Sequence, residues 1–149
     1  YIDSVPGPYY IHYVPNEGHD LGDKQQAFQA LSSFWGFTLQ HKPYPVTDYK
    51  TSVGKDALEL KIRATKPKLE GAVIWSAVSD DQDFRDETWV SRELPVVHKR
   101  KFKVKETLPA SGYKAFYVDL KYRNTNGELY TQSTRVFVSD SHSFLIGGR

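Results

Sequence analysis

The sequence predicts an α+β protein in which the terminal strand and helix of an α/β-hydrolase-like domain precede a fibronectin-III/immunoglobulin-like antiparallel β-sandwich. Two observations lead to this prediction. The first 42 residues combine one short apolar run with one helical pattern. From residue 46 onward, short runs of alternating apolar and polar residues are separated by Gly, Pro, Asn and Asp. The predicted divisions are residues 1–42, a linker at 43–45, the sandwich at 46–140 and a tail at 141–149.

The amino-terminal region is predicted to begin with a strand at residues 9–14. This run is rich in aromatic and β-branched residues, and Pro15-Asn16 closes it with a turn. His19 follows on the loop after that turn. In open α/β sheets, ligands bind at the carboxyl ends of the strands, so this position favours a functional histidine.

A helical pattern follows the loop. Asp20 and Asp23 are candidate N-caps for a helix that runs to about Gln40, where Pro43-Tyr44-Pro45 ends it. Four apolar residues recur at helical spacing and form one stripe, which Ala27 and Phe34 widen: Phe28, Leu31, Trp35 and Leu39. Within this chain the stripe has only the sandwich to pack against and is otherwise left exposed.

The sandwich is predicted from six or seven short strands without an intervening helix. The candidate runs are residues 58–62, 72–78, 85–94, 96–104, 116–123 and 129–138, with a hairpin turn at 124–127. The chain lacks cysteine and therefore the Cys-Trp-Cys pattern of antibody domains, which favours the fibronectin-III type. The expected core includes six residues: Leu60, Ile62, Ile74, Phe116, Val118 and Val136.

Composition narrows the possible functions. The formal net charge is only +2, so the overall charge implies neither nucleic acid nor an anionic membrane as a partner. No run approaches the ~20 apolar residues that a membrane span requires. The absence of cysteine excludes disulfides, zinc-thiolate sites and cysteine nucleophiles.

His19 is the candidate catalytic residue. The triad order in α/β-hydrolases is nucleophile, acid, histidine, so the histidine lies between the last strand and the last helix. No G-x-S-x-G motif occurs in the 18 residues before it. We therefore expect a larger protein whose missing amino-terminal hydrolase domain, in the same or a separate chain, supplies the other two groups. The alternative is a loop histidine that caps the following helix.

Other clusters favour structural roles. His12, His19, Asp20 and Asp23 are close in sequence, but they lack the spacing of a metal site. An acidic cluster lacks the glycine and spacing of an EF-hand loop, so a solvated connection is favoured over calcium binding. Its members are Asp80, Asp81, Asp83, Asp86 and Glu87. No metal site and no cofactor are expected.

Two further patterns have alternative interpretations. Alternating lysines occupy one face of a predicted strand and favour protection of an exposed edge over binding to an anionic surface or polysaccharide. They are Lys99, Lys101, Lys103 and Lys105. Five aromatic residues could form a sugar-binding platform, although Trp75 lies in the most apolar run and is expected in the core. The set is Trp75, Trp89, Tyr113, Tyr117 and Tyr130.

Two segments resemble the PhoPQ-activated pathogenicity-related protein family. The first runs from Val5-Pro6-Gly7-Pro8 through Tyr13-Val14-Pro15-Asn16 to Gly18-His19, and the second combines Ile74-Trp75-Ser76-Ala77 with Asp83-Phe84-Arg85. The resemblance implies an exported bacterial protein, periplasmic or secreted and linked to virulence, with a hydrolase-like domain followed by a β-sandwich. It also implies that His19 matches the triad-histidine position.

Two functions remain open. The chain is either the carboxyl-terminal part of a serine hydrolase or peptidase-like protein, or a binding, signalling or carbohydrate-binding module on an inactive hydrolase-like scaffold. In either case the unpaired strand edge and the apolar helix stripe favour self-association or docking of the missing domain.

Overall fold

The structure, a computed structural model, describes residues 4–6, 9–22, 24–65, 69–96 and 99–147. Within these ranges the chain forms one helix and nine strands. In chain order they are α1 (Gln25–Leu39), β1 (Thr47–Val53), β2 (Ala57–Ala64), β3 (Gly71–Ser79), β4 (Val90–Leu94), β5 (Lys101–Thr107), β6 (Tyr113–Arg123), β7 (Leu129–Ser133), β8 (Phe137–Ser139) and β9 (Phe144–Ile146). The described helix is too short and too polar to cross a lipid bilayer.

The strands form two antiparallel sheets in a sandwich-like arrangement. The smaller sheet has the order β1-β2-β5, and the larger has the order β4-β3-β6-β8-β9 with β7 also paired to β6. Alternate residues of both sheets point into one core. The predicted α+β composition and the β-rich second part are therefore confirmed.

Five of the six predicted core residues are buried: Leu60, Ile62, Ile74, Phe116 and Val118. The prediction for Val136 is wrong because that residue is only half-buried. The predicted strand at 129–138 is interrupted after Ser133, and residues 134–136 leave the ladder before β8 begins. This break shifts the alternation, so Phe137 enters the core in place of Val136.

Thr134 stabilises the break. Its backbone N–H donates to the carbonyl of Val118 at 2.8 Å, and its hydroxyl accepts the Val118 N–H at 3.0 Å. The side chain thus replaces a missing ladder bond, and β6 stays hydrogen-bonded along its full length.

Other strand boundaries also differ from the predictions. The run at 85–94 is extended only from Val90, and the run at 96–104 becomes β5, which begins at Lys101. Residues 97–98 lie outside the described part of the chain. The structure adds β1, and it adds β9 within the predicted tail.

The predicted strand at residues 9–14 is wrong. The segment is extended but forms a single bridge, in which the carbonyl of Ile11 accepts the N–H of Ser133 at 2.8 Å. It therefore attaches to the sandwich at the point where β7 ends. A single bridge does not make a β-ladder. The prediction failed because residues 9–14 have the apolar composition of a strand without its pairing.

Helix α1 begins later than predicted. Its N-cap is Lys24, in a left-handed conformation without a side-chain cap, so Asp20 does not cap the helix. Asp23 lies outside the described residues. The predicted end near Gln40 is confirmed by the last helical residue, Leu39.

Helix α1 packs on the sandwich through a face other than the apolar stripe, and the stripe stays exposed. The helix buries Ser33 and Phe37, whereas four large apolar residues are 54–73 % exposed. These four residues form the outer helix face: Phe28, Leu31, Trp35 and Leu39. Phe37 fixes the rotation, because its ring packs 5.2 Å from that of Tyr44 and 6.0 Å from that of Tyr130.

Candidate active-site cleft

His19 lies on the wall of an open cleft of about 1180 Å³. One side is the segment 13–19, which we call the His loop, and the other is the connection 82–89 between β3 and β4. Tyr117 of β6 also lines the cleft. The cleft therefore brings together the two segments that carry the family resemblance.

Asn16 joins the two sides of the cleft. Its side-chain amide donates to the backbone carbonyl of Trp89 at 2.9 Å and accepts the backbone N–H of Trp89 at 2.8 Å. This pair of bonds reproduces a β-bridge between positions 73 residues apart in the sequence. The His loop is thereby fixed to the start of β4.

The backbone around His19 is unusually constrained. Asn16, Leu21 and Lys24 all have positive φ angles near 60°. Asn tolerates this conformation, but for Leu and Lys it costs of order 1 kcal/mol. The N–H of Leu21 donates to the carbonyl of Gly18 at 3.0 Å, which closes a turn around His19. Strain of this kind is typical of functional loops.

Three aromatic rings support the His loop. Tyr13 packs 4.9 Å from Tyr117, and Trp89 packs 5.2 Å from the same ring. Phe84 lies beside Trp89 at 6.3 Å. Of the predicted sugar platform, only Trp89 and Tyr117 line the cleft.

The other aromatic residues are elsewhere. Tyr130 is buried beneath α1, where it packs against Phe37 and Tyr44. The core prediction for Trp75 is wrong, because its side chain lies half-buried on the outer face of the large sheet, opposite Tyr117 in register.

A buried carboxylate lies on this outer face. Asp119 is 5 % exposed and accepts hydrogen bonds from the indole N–H of Trp75 at 3.0 Å and from the hydroxyl of Ser133 at 2.6 Å. Burial raises the pKa of Asp119 to about 6, an effect that these bonds and the charge of Lys121 only partly oppose. The Ser133 hydroxyl in turn accepts the N–H of Tyr13 at 3.2 Å. The carboxylate is thus connected to the His loop.

Internal bonds organise the acidic connection opposite His19. Arg85 hydrogen-bonds both carboxylate oxygens of Asp83 and lowers the pKa of that carboxyl to about 2. The carboxylate of Asp81 accepts the N–H of Asp83 at 2.7 Å. Within the described ranges, no three His, Cys, Asp or Glu side chains are grouped as metal ligands would be.

The structure separates the two histidines of the first region. His12 lines a different cavity, of about 540 Å³, between the extended segment and α1. Burial lowers the pKa of His12, and neither ring nitrogen has a hydrogen-bond partner among the described residues. His12 and His19 therefore do not form one site.

His19 can accept or deliver a proton at the cleft, since its ring is exposed there. Among the described residues no carboxylate or hydroxyl group hydrogen-bonds to its side chain. A complete triad thus requires two groups from beyond these residues.

Sequence reasoning missed Asn16 and Asp119 as parts of this site and named Trp89 only as a candidate for sugar stacking. Asn16 was predicted only as a turn residue, which its positive φ confirms. Asp119 lies between the apolar residues Val118 and Leu120 of β6, so the alternation predicts only a polar side chain that faces solvent. The extended segment covers that face, a tertiary feature that no local pattern encodes.

The comparison with protein families gives an independent result. The family model for PhoPQ-activated pathogenicity-related protein matches residues 1–85, which include the His loop and the connection as far as Arg85. The chain belongs to this family. A search of curated proteins found no match.

The bonds from Asn16 to Trp89 give a first test. We expect Asn16→Gly to accelerate amide hydrogen exchange in residues 13–21 and to cost about 1–2 kcal/mol, because glycine keeps the left-handed backbone but removes both bonds. The matched control is Asn126→Gly on the exposed hairpin turn. If the His loop exchanged at the same rate in Asn16→Gly and in wild type, the hydrogen bonds from Asn16 to Trp89 would not be what fixes the loop.

Asp119 gives a pH-dependent test. Its pKa is raised from 3.8 to about 6 by folding, so its protonation favours the folded state below pH 4, and this contribution is lost as the pH rises through 6. We expect the free energy of unfolding of wild type, relative to Asp119→Asn, to fall by about 2 kcal/mol between pH 4 and pH 7. Urea unfolding at both pH values measures it. A constant difference would exclude a raised pKa.

Proposed function

We propose that the chain is the carboxyl-terminal part of an exported serine hydrolase or peptidase-like protein of this family, in which His19 is the general base. The observation that carries the proposal is the position of His19 on the wall of a cleft formed by both family-matched segments. In the reaction, His19 takes the proton of a serine nucleophile and delivers it to the leaving group. The serine and the orienting carboxylate come from the preceding hydrolase-like domain.

The sandwich has a definite role in this proposal. It holds the His loop at Trp89 through Asn16 and supports it from below through Tyr117. A general base must lie within hydrogen-bond reach of the proton that it removes, so a fixed loop favours catalysis. The connection 82–89 closes the other side of the cleft and contacts the substrate.

The outer helix face is the proposed contact surface for the hydrolase-like domain. Exposed Trp35 and Leu39 lie next to each other on it, with Leu31 one turn and Phe28 two turns before Trp35. Contiguous apolar surface of this kind marks interaction sites. Because α1 follows the His loop in the chain, this surface suits a partner domain that also contacts the loop.

A non-catalytic function is the second candidate. It is favoured by the half-buried aromatic side chains of Phe84 and Trp89 in the lining of the cleft, which suit stacking on sugar rings. In this case the isolated chain binds oligosaccharides and His19 is dispensable.

A serine-directed fluorophosphonate probe tests the catalytic proposal. We expect it to label the longer protein that carries this chain, and we expect His19→Ala to slow labelling by 10²–10⁴-fold, the usual contribution of a general base. His142→Ala is the control, because His142 is another exposed histidine outside the cleft. The isolated chain should remain unlabelled, since it lacks an activated nucleophile.

Two outcomes would reject this function. Labelling of the isolated chain that depends on His19 would mean that the chain has its own nucleophile. Failure of the longer protein to react would favour the binding module instead.

Self-association tests the outer helix face. We expect the isolated chain to show a mass above that of the monomer in light scattering, and Trp35→Gln with Leu39→Gln to restore the monomer by removing exposed apolar area. The control is Val78→Thr with Val90→Thr, which alters equally exposed apolar residues on strands. A monomeric wild type with a fully exchange-protected helix would contradict the proposed contact.

A further inference from the structure

Positively charged side chains are concentrated on the outer face of the small sheet. In the observed register, Lys50 lies opposite Lys61, and Lys61 lies opposite Lys103. Arg63 lies opposite Lys101 in the neighbouring row. Together with Lys105, these residues form what we call the basic face.

The basic face has few compensating charges. Its acidic residues are Asp48 and Glu59, so it has a net charge of +4, whereas the whole chain has +2. Glu59 ion-pairs with Lys103 at 2.9 Å and Lys105 at 3.3 Å. The other four cationic side chains form no ion pair with a described residue: Lys50, Lys61, Arg63 and Lys101.

Edge protection explains only part of this pattern. Lys101, Lys103 and Lys105 lie on β5, an edge strand with a single neighbour, where lysines prevent edge-to-edge pairing. Lys61 and Arg63 lie on β2, the central strand, which has no free edge. Like charges placed directly opposite each other destabilise a sheet, so the row from Lys50 to Lys103 has a cost that edge protection does not offset.

The shape of the basic face favours one ligand class. A shallow depression of about 720 Å³ lies along the rows that contain Asp48 and Lys50, and Lys101 and Lys103 border it. The outward positions carry no aromatic side chain on which bases or sugar rings could stack. Cations spread over three neighbouring strands match the charges of a lipid surface, which are also spread over an area.

We propose that the basic face binds an anionic phospholipid surface, with lipid phosphate groups seated between the row of Lys50, Lys61 and Lys103 and the row that contains Arg63 and Lys101. Each lysine near such a surface contributes about 1 kcal/mol, which corresponds to roughly a fivefold change in affinity. The interaction is peripheral and sensitive to salt. It requires no apolar insertion and does not depend on the chemistry of His19.

Vesicle co-sedimentation tests the proposal with the 149-residue chain. The probe is vesicles of 40 % phosphatidylglycerol in phosphatidylcholine, compared with phosphatidylcholine alone. We expect binding to the anionic vesicles only, with at least a tenfold weaker affinity at 0.5 M than at 0.1 M salt. Lys50→Gln, Lys61→Gln and Lys101→Gln together should weaken it by about 100-fold, because three charges without acidic partners are removed.

The control variant carries Lys24→Gln, Lys42→Gln and Lys55→Gln, which remove three exposed lysines that lie outside the strands. Its affinity for the anionic vesicles should fall by less than threefold. Urea unfolding should show that the first triple variant is at least as stable as wild type, because repulsion within the row is relieved. Loss of binding with retained stability supports the proposal.

Several results would overturn it. They are equal binding to both vesicle types, equal losses in the two triple variants, or insensitivity to salt. Displacement by micromolar glycerol phosphate would assign the face to a free phosphate ligand. Tighter binding to dextran sulfate than to the anionic vesicles would assign it to a polysaccharide.

Discussion

The requirement that β6 be covered on both faces organises the rest of the structure. Phe116 and Val118 enter the sandwich core from one face, while Tyr117 and Asp119 occupy the other and are equally buried. An antiparallel strand of a simple sandwich would expose that second face to water. Here the extended amino-terminal segment covers it. The position of the His loop is therefore a consequence of how β6 is buried, and not of the loop sequence alone.

The regular parts of the sandwich could be predicted because strand alternation is a local signal. Leu60 and Ile62 alternate with charged residues, and their burial follows directly from that pattern. The rotation of α1 could not be predicted in this way. Helical spacing identifies an apolar stripe but not the surface that covers it. The small residue Ser33 packs closely against Asn124, to which it is hydrogen-bonded at 3.1 Å, and the larger apolar side chains point outward.

The site and the charge pattern depend on pairings that span long stretches of sequence. The sequence identified the loop that carries His19, but the contact from Asn16 to Trp89 joins residues too distant for any periodicity to relate. The balanced net charge likewise implied no anionic partner, and the alternating lysines left such a partner only as the less favoured alternative. Only the register places Lys50, Lys61 and Lys103 in one row, and net charge cannot reveal such a local excess.

Asp119 illustrates why a buried acid can persist at a position where an apolar residue would cost less. An ionised carboxylate in this environment opposes folding at neutral pH, as its raised pKa indicates. Leucine would remove that cost but leave the indole N–H of Trp75 and the hydroxyl of Ser133 without an acceptor. Ser133 also bonds the backbones of Ile11 and Tyr13, so its orientation determines where the amino-terminal segment lies. The carboxylate therefore exchanges some stability for a single position of the segment that leads to His19, and the general-base role proposed for His19 would require such a fixed position.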